Sequence, residues 1–122
     1  GLRSGDLGWI CAHGTGTQLN DVSETRAIKL ALGAAAYTTP VSSIKGALGH
    51  TLGASGALAA VTAVQALNAG VIPPTLNYAA PDPECDLDYV PNKSRPADVQ
   101  AVMVNAFGFG GQNAALVFRR WE

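Results

Sequence analysis

The chain has 122 residues, 48% of them hydrophobic and 14% charged, with a net charge of −1. That length holds one domain with a real core and is too short for two, and so little charge, with Arg119-Arg120 the only adjacent basic pair, removes nucleic acid as a partner. Two cysteines, Cys11 and Cys85, make neither a disulfide framework nor a Cys-x-x-Cys pair, which suits a reducing compartment, the cytoplasm.

The opening Gly1-Leu2-Arg3-Ser4-Gly5-Asp6 has no initiator Met, no apolar leader and no transit pattern, and reads as the start of a piece of a longer protein. Residues 8–12 form a compact apolar run, a buried strand that ends at His13-Gly14-Thr15-Gly16-Thr17. Asp21 stands as a helix N-cap with Glu24 three residues on, which predicts a helix from Val22 with Ala27, Ile28, Ala31 and Leu32 on its apolar face. Gly33 suits its end, with Ala34 to Ala36 able to extend it.

Residues 41–44 read as the next strand, followed by a glycine-rich loop from Lys45 to Gly56. Its glycines at 46, 49, 53 and 56 are expected to take positive φ or to approach a ligand closely, making the stretch one wall of an active site. Residues 57–69 are apolar nearly all round, with Ala57, Ala60, Val61, Val64 and Leu67 on one face, which predicts a central helix buried on both sides. The run falls short of a bilayer's thickness and is broken by Thr62, Gln65 and Asn68, so no membrane span is expected.

Gly70 ends that helix, and six prolines between residues 73 and 96 mark an extended segment in which Leu87-Asp88-Tyr89-Val90 alternates as a short strand. Residues 101–104 and 114–118 then form an antiparallel hairpin around a wide glycine-rich turn. The order β-α-β-α-(β)-β-β is that of an α/β domain, a mixed sheet flanked by helices.

Several motif matches fail on context. Gly108-Phe109-Gly110 lacks the third glycine and the following helix of a dinucleotide site, and the nucleophile-elbow pattern at Ser55 fails at Ala57. Asn92-Lys93-Ser94 is a chance glycosylation triplet, and Cys11, His13 and His50 lack the spacing and fourth ligand of a zinc site, so no metal is expected. What remains is two histidines, each leaving a strand end in a Gly/Thr loop. They either cap their loops by hydrogen bonding or converge at the carboxyl edge of the sheet as N–H donors to an oxyanion or as acid and base.

The segments His13-Gly14-Thr15-Gly16-Thr17, Ser42-Ser43-Ile44-Lys45, Gly49-His50, Leu52-Gly53-Ala54-Ser55-Gly56, Pro73-Pro74-Thr75 and Asn105-Ala106-Phe107-Gly108-Phe109-Gly110-Gly111-Gln112-Asn113 together resemble the C-terminal half of a β-ketoacyl-acyl carrier protein synthase. The resemblance covers residues 1–122 and implies a thiolase-like α/β half-domain. It further implies decarboxylative condensation of malonyl-carrier protein with an acyl thioester held on a cysteine of the N-terminal half. By the same resemblance His13 and His50 would promote decarboxylation, Lys45 would orient a histidine, and Thr15 and Thr17 would bind the phosphopantetheine arm. Phe107 would gate the acyl pocket and donate a backbone N–H to the thioester oxyanion. Phe109 falls near the substrate in the motif and is expected in the core. No cofactor is implied beyond the arm of the acyl carrier protein. The expected partners are that carrier protein, the N-terminal half, and a second subunit in a homodimer or a ketosynthase/chain-length-factor heterodimer.

Two departures stand out. The family commonly places a glutamate nine residues after the second histidine, where this chain has Ala59, and neither Cys11 nor Cys85 has the setting of an activated thiol, so the piece alone should be inactive. A noncatalytic chain-length-factor-like subunit is the alternative reading. Thiolase is disfavoured because the last glycine loop carries no cysteine.

Overall fold

The computed structural model describes residues 1–121. Its centre is β1 (Trp9–Cys11), whose three residues are wholly buried. The strand pairs in parallel with β2 (Val41–Ser42) on one side and with β5 (Ala101–Phe107) on the other. β6 (Asn113–Arg119) runs antiparallel to β5 at the edge, giving the order β2-β1-β5-β6 and the mixed sheet expected. A second, two-stranded ribbon pairs β3 (Val71–Ile72) with β4 (Arg95–Pro96), and those two residues a side were too short a signal to read in the sequence.

The alternation of β1 divides the core. Trp9 and Cys11 pack with Val102 and Val104 against Ala59, Ala63, Ala66 and Leu67, whereas Ile10 and Ala12 face Ile28, Val41 and Leu87 on the opposite side. The first set belongs to α3 (Ser55–Ala69), and in the second Ile28 comes from α1 (Gln18–Leu32), Val41 from β2 and Leu87 from the proline-rich segment, so one helix lies on each face of the sheet.

α1 begins four residues earlier than the capping pattern predicts. Thr17 is the N-cap, and the two acidic side chains serve the preceding loop: Asp21 accepts the Gly16 N–H at 3.2 Å and Glu24 accepts those of His13 and Gly14. Of the expected apolar face only Ile28 is fully buried, and Ala27 and Ala31 lie in the open. The helix closes on Gly33 (φ 58°, ψ −131°) and continues as a 3₁₀ turn over Gly33–Tyr37.

Nor is the stretch from Lys45 to Gly56 a loop throughout. It holds a helical turn, α2 (Lys45–Leu48), and a 3₁₀ turn (Leu52–Ala54) that runs into α3. Of its four glycines, Gly49 takes a positive φ of 75° and Gly46 a close approach, since a Cβ there would lie 2.7 Å from the Leu76 carbonyl oxygen. Gly53 and Gly56 face open space and need no glycine.

α3 is buried on one side only. The residues against the sheet are Ala59, Ala63, Ala66 and Leu67, because alanines let the helix axis come close, while Leu58, Val61 and Val64 point outward. The expected face was thus wrong by part of a turn, and the second apolar face has nothing on it among the described residues. The 18 residues Leu52–Ala69 are by length and composition apolar enough to cross a membrane. Gly70 (φ 64°) ends α3, and Arg120 donates from Nε to the Leu67 carbonyl at 2.9 Å.

The proline-rich segment is extended as expected, but residues 87–90 form no strand; Leu87 and Val90 are buried anchors. Contacts from α1 hold this segment, through Arg26 to Glu84 at 2.7 Å, Lys29 to Asp86, and the hydroxyls of Thr25 and Tyr89.

Gly46→Ala should drive the Leu76 carbonyl away and cost about 1–3 kcal/mol of stability, read by urea denaturation of the full-length protein. Gly56→Ala, in an open helical position, should instead stabilise by about 0.5–1 kcal/mol. Equal effects of the two would show that the close approach at Gly46 carries no weight.

Candidate active site

His13 leaves the end of β1, and its backbone is clamped where the strand turns. Glu24 Oε1 accepts the His13 N–H at 2.9 Å and Oε2 accepts the Gly14 N–H at 2.8 Å, so a helix carboxylate sets the corner. Two amides complete that carboxylate, Asn105 Nδ2 to Oε1 at 3.0 Å and Asn20 Nδ2 to Oε2 at 3.4 Å. Gly14 (φ 40°) is tight as well, since a Cβ there would meet Ser43 Cβ at 2.5 Å. In the sequence Glu24 has the spacing of a capping box, and Asn105 carries no signal beyond its place in the last glycine motif.

Lys45 reaches across from α2. Its Nζ donates to the His13 carbonyl at 2.6 Å and lies 3.5 Å from His13 Nδ1. With an ammonium facing Nδ1, that nitrogen is the acceptor and the ring proton of neutral His13 sits on Nε2. Burial, and next the charge of Lys45, hold the His13 pKa below that of an ordinary imidazole, with Glu24 opposing. Burial also lowers the pKa of Lys45. Ala59 lies in the apolar cluster between α3 and the sheet, so Lys45 is seated on a main-chain carbonyl rather than on a carboxylate from that position.

His50 follows Gly49 at the end of α2. Its Nδ1 accepts the Leu52 N–H at 3.1 Å and lies 3.1 Å from the Ser55 hydroxyl. A backbone N–H can only donate, so Nδ1 carries no proton and Nε2–H is the ring's free donor. Leu52 aims that N–H from a positive φ of 51°, a strained setting for a non-glycine residue of the kind that gathers at functional sites. The two imidazoles meet edge to face with centroids 5.5 Å apart.

Phe107 closes the group, its ring centroid 5.4 Å from that of His13. It is the last residue of β5, paired with Asn113, so its backbone belongs to the ladder and not to the turn. Phe109 was expected in the core and is 98% exposed, at the tip of the turn between Gly108 and the positive-φ glycines 110 and 111. A glycine-rich tip gives that ring nothing to pack on within the described residues.

Two cavities meet at the Lys45–His50 wall. One, of about 680 Å³, is lined by His13, His50, Phe107, Gly108 and Gly111. The other, of about 600 Å³, is lined by Thr15, Thr17, Ser43 and Tyr78. Thr15 and Thr17 share a hydroxyl contact of 2.9 Å at its mouth. Burial pushes the Cys11 thiol up to about 12, which keeps it protonated, and Cys85 lies in the wall of the second cavity, away from His13. No three His, Cys, Asp or Glu side chains converge as a metal would need among the described residues.

Residues 1–79 match the family model of the C-terminal domain of beta-ketoacyl synthase. The chain is 52% identical over its full length to 3-oxoacyl-[acyl-carrier-protein] synthase 2 of Synechocystis sp., covering 29% of that protein. It is 54% identical over 97% of its length to the tetracenomycin polyketide synthase ketoacyl synthase alpha subunit of Streptomyces glaucescens, covering 28% of it. The chain therefore spans less than a third of the curated relatives it matches. Among solved structures it is similar to a type II polyketide ketosynthase in complex with its acyl-carrier protein and bound to the hexaketide (TM-score 0.96, 35% identity, 99% of this chain and 30% of that one). It is likewise similar to the ishigamide ketosynthase/chain length factor (TM-score 0.95, 39% identity, 99% and 30%). These likenesses span the sheet, both helices and the histidine corner alike, and the chain belongs to the beta-ketoacyl synthase family as a thiolase-like C-terminal portion.

Proposed function

We propose that the protein containing this chain condenses a malonyl thioester with an enzyme-bound acyl thioester, losing carbon dioxide, and that His13 and His50 promote the decarboxylation. The observation that carries this reading is the pair of Nδ1 contacts, Lys45 Nζ at 3.5 Å from that of His13 and the Leu52 N–H donating to that of His50, which assign the proton of each neutral ring to Nε2 in two rings that line one cavity. Breaking the carboxylate bond of the malonyl group sends its electron pair into the thioester, and the resulting enolate oxygen takes hydrogen bonds from both imidazoles. The enolate carbon then attacks the acyl carbonyl and expels the thiolate of a cysteine supplied by the rest of the protein. The chain alone is therefore inactive.

Thr15 and Thr17 hold the phosphopantetheine arm at the mouth of the neighbouring cavity, and the acyl carrier protein is the partner that delivers it. The two structural neighbours, one a ketosynthase with its carrier protein and the other a ketosynthase/chain length factor, support such partners. The apolar outer face of α3 suits burial against the rest of the same protein, in a cytoplasmic homodimer or heterodimer. The presence of both oriented histidines argues against a silent chain-length-factor role.

Gating passes from Phe107 to Phe109 in this reading. A gate must move, and Phe107 is tied into β5 with its ring on His13, whereas Phe109 rides a glycine tip. Phe107 remains the wall that seats His13.

In the full-length protein, His13→Ala and His50→Ala should each lower malonyl decarboxylation by about 100- to 1,000-fold while the cysteine is still acylated. Decarboxylation at the parent rate in both variants would overturn the proposal. Phe109→Ala should change acyl-chain selectivity with decarboxylation within about twofold, and Phe107→Ala should do the reverse; the opposite pattern returns the gate to Phe107. The acid limb of decarboxylation should lie below that of an ordinary imidazole, because burial, and next the Lys45 ammonium facing Nδ1, disfavour the charged form of His13. Lys45→Ala removes a charge that depresses the His13 pKa, so the limb should move to higher pH; an unmoved limb would show that Lys45 does not tune this ring.

A further inference from the structure

We infer that Asn105 is a positioning residue for His13, acting through Glu24. The inference rests on the function proposed above and concerns a residue that takes no part in the chemistry itself.

Asn105 is 7% exposed and sits on β5, two residues before Phe107 and so on the same face of the strand. That face meets the histidine corner twice. Phe107 packs its ring on the His13 ring, and Asn105 donates from Nδ2 to Glu24 Oε1 at 3.0 Å, the same oxygen that takes the His13 N–H. The carboxylate has four donors around it: two backbone N–H groups of the His13 turn, Asn20 from its own helix, and Asn105 from the sheet. Only Asn105 joins the carboxylate to the strand that carries Phe107. The β1–β5 ladder ends at Cys11 and Val104, so past it the His13 turn is held to β5 by this bond and by the contact with the Phe107 ring; without Asn105 only the ring contact remains of the two. A displacement of less than an ångström at a donor that must meet a developing oxyanion is costly, because alignment and not binding strength is lost.

The effect should therefore fall on decarboxylation and spare the other half-reaction. In the full-length protein, Asn105→Ala should lower kcat for decarboxylation of a malonyl thioester by about tenfold. Asn105→Asp keeps the size but sets an acceptor against Glu24, and should lower it by about 100-fold. KM for the malonyl thioester, and the rate of cysteine acylation by an acyl thioester, should stay within about twofold of the parent in both variants. A purely structural asparagine would instead lower both half-reactions together, with Ala at least as damaging as Asp; that result, or parent-like decarboxylation in Asn105→Asp, overturns the inference. If Asn105→Asp does not fold, folded Asn105→Ala decides it by the same split between half-reactions. Parent protein that fails to decarboxylate malonyl thioesters would bring down the proposed function and this inference together, whereas an active parent with an indifferent Asn105 brings down only the inference.

Discussion

One carboxylate holds the corner on which the site is built. Strand β1 delivers His13 to the sheet edge with its side chains already committed to the two halves of the core, so the chain must turn without losing its backbone hydrogen bonds. Glu24 takes both N–H groups of that turn from the first half of α1. Buried amides of this kind are costly to leave unpaired, and a helix carboxylate satisfies two at once. The same carboxylate ties helix, turn and β5 together, so the position of a reactive ring follows from the packing of the sheet.

The second histidine is set by different means. His50 is exposed within this chain and owes its orientation to a main-chain donor two residues on, presented by a strained Leu52. One imidazole is thus located by burial and a carboxylate and the other by backbone geometry, yet both end with the same nitrogen free. Lys45 links the two, seated on the His13 carbonyl from the turn that leads to His50. Away from this pair the surface keeps large apolar side chains exposed, Leu58, Val61 and Val64 on α3 and Leu116 and Val117 on β6.

The fold was largely legible because its strands are short, apolar and bounded by glycine or proline, and the order of elements followed from those boundaries. Where structure and pattern part, the cause is shared: a local pattern does not specify its tertiary partners. Asp21 and Glu24 have the spacing of a helix cap, but the loop before the helix offered them better donors. The all-round apolar pattern of α3 does not say which face meets the sheet, and close packing chose the alanines. Phe109 looks like core by composition and stands on a glycine tip. Residues 87–90 alternate like a strand but make only single main-chain bonds, Asp88 O accepting from Val41 N–H and Val90 O from Thr75 N–H, to two different segments and so no ladder. At the site, the histidines, Lys45 and the glycine loops announced themselves by motif, whereas Asn105 acts across 81 residues of sequence and became visible only with β5 laid against α1.

The account turns on which nitrogen of each imidazole carries the proton, and that is directly measurable. Nitrogen-15 side-chain spectra of the full-length protein, assigned with His13→Ala and His50→Ala, report the tautomer of each ring near neutral pH. Two neutral rings protonated at Nε2 are the predicted result, with Nδ1 of each in the acceptor state. A ring found protonated at Nδ1 would contradict the donor pair, because its nitrogen on the cavity would then be an acceptor and could not stabilise an enolate oxygen.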